Sequence, residues 1–129
     1  MMPKDEGGRM RDEDLKTRTK QFALRVIRMY CSLPKSTEAQ VLGKQVLRSG
    51  TSVGAHYREG CRARSDAEFI SKLEGGLQEL EETQYWFELL VESEIVADER
   101  LQPLMTEANE LTAILVTCVK NAKKRRDNK

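Results

Sequence analysis

The stretch Ser65-Asp66-Ala67-Glu68-Phe69-Ile70-Ser71-Lys72-Leu73, running on to Leu90, decides the fold. Ser65 followed three residues later by Glu68 has the spacing of a capping box, in which a hydroxyl and a carboxylate satisfy backbone N–H groups at a helix start. Beyond it Phe69, Leu73, Gly76, Leu80, Thr83, Phe87 and Leu90 recur at intervals of three and four, the period of a helix with one buried stripe. The spacing predicts a helix over 66–94. Upstream, Thr37 with Gln40 repeats the capping spacing, and Ala39, Leu42, Val46, Ser49, Val53, Tyr57 and Cys61 carry a second helix over 37–61 with small core positions. Further back, Leu15, Phe22, Val26, Tyr30 and Leu33 predict a helix over 12–33, stopped by Pro34. Downstream, Asp98 serves as an N-cap, and Leu101, Leu104, Ala108, Leu111, Leu115, Cys118 and Ala122 predict a helix over 99–123. Pro103 is expected to kink its entry or delay its start.

The chain has 129 residues, one domain of ordinary size. Residues 1–11 and the basic 124–129 read as tails around a folded unit over 12–123, because neither shows periodicity. Aromatics are only 5% of residues and charges 33%, a balance that leads away from a β-sandwich and toward helices with solvated faces. No alternating pattern argues for a strand. The connections span about three to five residues, so successive helices lie antiparallel. The expected fold is therefore all-α, an up-down antiparallel four-helix bundle. No apolar run is long enough for a membrane span or signal peptide, and the odd, unpaired set Cys31, Cys61 and Cys118 fits a reducing compartment. The expected location is the cytoplasm.

The residues offer little for catalysis. His56 is the single histidine, and no metal-ligand spacing, phosphate-binding glycine loop or nucleophile elbow occurs. The expectation is no catalytic residue, no metal and no cofactor. His56 reads as a histidine bonded across a helix pair in preference to a ligand. Glu79, Glu81, Glu82 and Glu88 point to several helix faces and suit a solvated surface better than a metal cage. The cysteines read as small hydrophobes, and Cys61, among Arg58, Arg62 and Arg64, is the thiol whose setting could activate it. Gly50 and Gly54 each cost a helix interior about 1 kcal/mol relative to alanine, so either the second helix breaks there or a neighbour packs closely enough to offset the loss. The unbroken phase from Val46 through Val53 to Tyr57 favours close packing.

Two further patterns concern partners. Tyr85-Trp86-Phe87-Glu88-Leu89-Leu90-Val91 is apolar almost all round, and Ile114 lies off the main stripe of the fourth helix. Tyr85, Trp86, Leu89 and Ile114 are thus candidates for a contact between copies, against the plainer reading of scattered surface apolars. Charge is segregated: the balance is +7 over residues 1–65, −11 over 66–110 and +5 over 111–129. An antiparallel bundle gathers the start of helix one (Arg9, Arg11, Lys16, Arg18, Lys20), the end of helix two (Arg58, Arg62, Arg64) and the end of helix four (Lys120, Lys123, Lys124, Arg125, Arg126) at one basic pole. Helix dipoles account for cations at C-termini but not for those at the start of helix one. Anion or nucleic-acid binding and plain dipole compensation both remain open on residues alone.

The motifs Leu33-Pro34, Gln45 through Ala55, Arg58-Glu59-Gly60, Asp66-Ala67-Glu68-Phe69-Ile70 and Leu77 through Thr83 together resemble the bacterial four-helix bundle family that includes the protein encoded by intervening sequences in 23S ribosomal RNA genes. The resemblance covers roughly residues 15–122, and it departs from the family pattern at His56, where asparagine is usual. It implies a bundle that assembles into a ring-like homopentamer and names no reaction. A similar protein, the accessory factor of diversity-generating retroelements, implies RNA or DNA as a partner and a reverse transcriptase as a protein partner. The expected function is a non-enzymatic scaffold or binding protein that uses the basic pole. The rival is a protein adaptor with no nucleic-acid contact.

Overall fold

The structure, a computed structural model, describes residues 12–129; the tail read over 1–11, with Arg9 and Arg11, lies outside the described residues. Four helices fill it: α1 over Asp12–Cys31, α2 over Thr37–Cys61, α3 over Asp66–Glu92 and α4 over Asp98–Asp127. They form an all-α, up-down antiparallel bundle in the cyclic order α1, α2, α3, α4, with α2 against α3 the closest pair and α4 approaching α1 at few points. Among the described residues there is no strand. No helix among them is long and apolar enough to cross a membrane.

The sequence signals act at the helix ends. Ser65 accepts from the N–H of Glu68 at 3.0 Å, while the Glu68 carboxylate accepts from the N–H of Arg64 at 3.1 Å. At α2 the capping residue is Ser36, one position earlier than the Thr37–Gln40 spacing suggests, and it accepts from the N–H of Ala39. Gln40 is taken up elsewhere, donating to the Pro34 carbonyl and accepting from the Tyr30 hydroxyl. The α1 helix stops at Cys31 and not at Leu33, because Ser32 and Leu33 turn back onto the carbonyls of Met29 and Tyr30. The α3 helix stops at Glu92, where Glu94 takes the left-handed φ of 64° and lets Ile95 and Val96 donate to the Leu90 carbonyl. Pro103 does not delay α4, which begins at Asp98. At the far end α4 runs on to Asp127, and four residues read as tail become helix, held by Arg125, which pairs with Asp66 and lies 5.9 Å over the Phe69 ring.

The core is a column of apolar side chains in which Phe22, Val26, Val53, Phe87, Leu80 and Leu111 are fully covered. Each such side chain contributes roughly 2 kcal/mol of burial. Across α2 and α3 the buried hydroxyls of Ser49 and Thr83 lie 2.7 Å apart, and that of Thr83 is also bonded to the Glu79 carbonyl at 2.8 Å. The helix α2 does not break at Ser49-Gly50. Gly50 and Gly54 instead face α1, where an added Cβ would lie 2.9 Å from a Val26 methyl and 3.1 Å from the Thr19 hydroxyl. The missing side chains set the α1–α2 separation.

Candidate functional site

The topology brings the start of α1, the end of α2, the start of α3 and the end of α4 to one end of the bundle. Cross-links between elements fix it: the Tyr57 hydroxyl donates to Asp12 at 2.9 Å, Arg58 to the Lys16 carbonyl at 3.4 Å, and Arg125 to Asp66 at 3.3 Å. Arg64, Arg125 and Lys129 rim an open cleft there, together with Asp12, Cys61 and Asp66.

The cations at this end fall into two groups. Arg125 and Lys129 converge on the Asp66 carboxylate, Lys123 lies 3.6 Å from Glu74, and Arg126 is bonded to Asp127 at 2.9 Å. The Lys129 ammonium, with Arg125 behind it, holds the Asp66 carboxyl below its usual range. Arg58, Arg62, Arg64, Lys120 and Lys124 are exposed and have no carboxylate within 4.0 Å among the described residues. These five are the outward charge that the ends of α2 and α4 give the pole.

Within the α1 cluster, Arg18 does not join the outward charge of the pole as the sequence suggested. Arg18 turns into the α1–α4 seam, where it grips Glu107 through two hydrogen bonds of 2.6 and 2.8 Å and also reaches Glu110. The bonds to Glu107 push its guanidinium still further from neutrality. Lys16 sits 3.8 Å from Glu13. A helix N-terminus disfavours cations, and carboxylates placed beside them offset that cost.

Cys61 is half-buried, and burial pushes its thiol up, against the lowering influence of the Tyr57 hydroxyl. The surrounding arginines do not activate it. Burial likewise pushes the Tyr57 phenol upward. His56 lies between α2 and α3, with Nε2 3.7 Å from Glu79, and its ring rests where a Cβ on Gly75 would come within 2.9 Å. Glu79 and Glu82 both face Arg48, at 3.6 and 2.9 Å, so these carboxylates form an interhelical ion cluster. Among the described residues no group of His, Cys, Asp and Glu is arranged to hold a metal ion.

The four residues read as an interface between copies do not form one patch. Tyr85 is 53% exposed and its ring lies 5.0 Å from that of half-buried Trp86, on the outer side of α3. Leu89 is seven residues on from Glu82, and Val41 seven back from Arg48, so the Arg48–Glu82 pair repeats one heptad along as Val41 opposite Leu89. Val41 is 55% exposed and extends this patch onto α2, a residue the sequence reading passed over because it stands alone off the α2 stripe. Ile114 is elsewhere: it stands on α4, seven residues after Glu107, and packs half-buried against the core.

Comparison with known proteins bears on this arrangement. The family model described as 23S rRNA-intervening sequence protein matches residues 11–117. Among solved structures, the chain is similar to a protein of unknown function from the S23 ribosomal protein family of Bacteroides thetaiotaomicron. That protein is 38% identical, with a TM-score of 0.81 over 86% of this chain and 99% of the other. A search of curated proteins finds no match.

Proposed function

The chain belongs to the 23S rRNA-intervening sequence protein family, and on that premise we propose that it performs no reaction and acts as a self-assembling scaffold that holds nucleic acid by its phosphates at the basic pole. The observation that carries this reading is the set Arg58, Arg62, Arg64, Lys120 and Lys124, exposed and without internal counter-charges among the described residues. Dipole compensation accounts for Lys120 and Lys124 near the end of α4. It accounts equally for Arg58 and Arg62 at the end of α2, but not for Arg64, which immediately precedes the N-cap of α3, where a cation is disfavoured by up to about 1 kcal/mol. A charge kept at an unfavourable place is explained by an external anion. The pole lacks an aromatic platform among these five residues, so contact is to the backbone with slight sequence preference.

Self-association supplies the affinity that one pole lacks. The patch of Val41, Tyr85, Trp86 and Leu89 is the contact we assign to it, and a ring of five copies in the cytoplasm would repeat the five cations on one rim. The rival reading, an adaptor for a protein such as a reverse transcriptase, is favoured by one observation: Asp66 and Glu74 already engage Arg125, Lys129 and Lys123. Fluorescence anisotropy with a single-stranded RNA of about 20 nucleotides at low salt separates the two. Changing Arg62, Arg64, Lys120 and Lys124 to Gln should weaken binding roughly tenfold or more, whereas Lys123→Gln should change it little. Absence of binding by the unaltered protein to RNA and to DNA favours the adaptor.

A further inference from the structure

At the end of the bundle away from the basic pole, the α1–α4 seam opens into a cleft of about 300 Å³. Its rim is Arg25 and Arg28 from α1 and Arg100 from α4, and its floor is apolar, with buried Met29, Val96 and Leu104. The placement of these arginines is anomalous. Along this seam Arg18 faces Glu107, an attractive pair. One heptad further on in α1 comes Arg25, and one heptad back in the antiparallel α4 comes Arg100, so the next pair sets like charge against like. Arg28 adds a third cation one turn on. None of the three has a carboxylate within 4.0 Å among the described residues; Arg100 reaches only the Ser32 hydroxyl, at 3.3 Å. Like charges across an interface are unfavourable unless something external neutralises them.

We infer that this cleft is a docking site for an acidic peptide segment of another protein, its carboxylates taken by Arg25, Arg28 and Arg100 and an aliphatic side chain seated on Met29, Val96 and Leu104. Charge complementarity selects an anionic partner, and guanidinium groups suit paired carboxylate oxygens. The apolar floor selects a peptide over a nucleic acid, since phosphates would leave it uncovered and no aromatic ring lines the cleft for a base to stack on. The site is separate from the basic pole, and the inference does not rest on nucleic-acid binding there.

The test uses the full chain and a fluorescent peptide of about twelve residues, mostly Glu, with Leu at helical spacing. Saturable binding is expected, weakened about tenfold or more when Gln replaces Glu, when Ala replaces Leu, and in the Arg25→Gln, Arg100→Gln double variant. Arg62→Gln with Arg64→Gln should leave it unchanged. The Arg25/Arg100 variant should also melt no lower than the parent, because it relieves a repulsion. Equal binding of the Ala-for-Leu peptide, binding indifferent to the double variant, or displacement of the peptide by RNA in the Arg62/Arg64 variant would each overturn the inference. So would a loss of several degrees in the melting temperature, which would assign these arginines to folding, or a changed sedimentation mass, which would make the cleft a contact between copies.

Discussion

Substituting alanine at two helical glycines should move stability in opposite directions. At Gly50 the new Cβ would lie 2.9 and 3.1 Å from the two methyls of Val26 and 3.4 Å from its Cβ. Val26 is fully buried, and a β-branched residue in a helix has essentially one χ1 rotamer, so it cannot swing aside. Overpacking of this kind costs about 1–3 kcal/mol, against roughly 1 kcal/mol recovered from helix propensity. Gly50→Ala should therefore be destabilising by about 0–2 kcal/mol, and Gly50→Leu by more. At Gly76 the new Cβ would meet the Cβ of His56 at 3.5 Å, the Val53 carbonyl at 3.7 Å and a Leu115 methyl at 3.8 Å, all ordinary contacts. There the propensity gain stands alone, and Gly76→Ala should stabilise by about 1 kcal/mol, or about 4 °C in melting temperature for a domain of this size. Thermal denaturation followed by circular dichroism reads both. A Gly50→Ala variant at least as stable as Gly76→Ala would refute the claim that absent side chains on α2 set the α1–α2 spacing.

Glu107→Gln should destabilise the bundle by roughly 1–3 kcal/mol in chemical denaturation, since it leaves a half-buried Arg18 without its strongest partner. Cys61 should react with a thiol reagent at pH 7.5 more slowly than exposed Cys31, and mass mapping of partial alkylation would reveal the reverse. Because the folded state retains the protons of Tyr57 and Cys61 that the unfolded chain releases above their ordinary values of 10.0 and 9.0, their contribution is full at neutral pH and falls as pH rises past 9. A Tyr57→Phe, Cys61→Ala variant should lose less stability between pH 8 and 11 than the parent; parallel curves would contradict this. Val41→Lys with Tyr85→Glu changes two exposed side chains and should lower the sedimentation mass toward 14.8 kDa without loss of helix.

The fold was legible because its determinants are local. Three-four spacing through Leu73, Leu80 and Phe87, and Ser65 before Glu68, need no knowledge of the other helices. The ends were less so. Whether α4 stops near 123 or runs to Asp127 depends on Asp66 and Phe69, distant in sequence, receiving Arg125. The same holds for charge. A count by segment locates a basic pole, but which cations remain outward is settled by pairings across helices: Lys123 with Glu74, and Arg18 with Glu107 on a different face. Ile114 and Tyr85 are both apolar and both off the main stripe of their helices, so spacing alone does not separate them. The unfavourable facing of Arg25 and Arg100 was equally hidden, because it requires the antiparallel register that the Arg18–Glu107 pair reveals.

The most direct measurement for the basic pole is the salt dependence of RNA binding. Each phosphate contact on a single strand contributes about −0.7 to the slope of log K against log salt, so engagement of about five outward cations by one copy predicts a slope near −3.5. Neutralising Arg62 and Arg64 should flatten it by about 1.4, while neutralising the internally paired Lys123 should barely alter it. A slope near zero, or no RNA or DNA bound at low salt, would contradict the account.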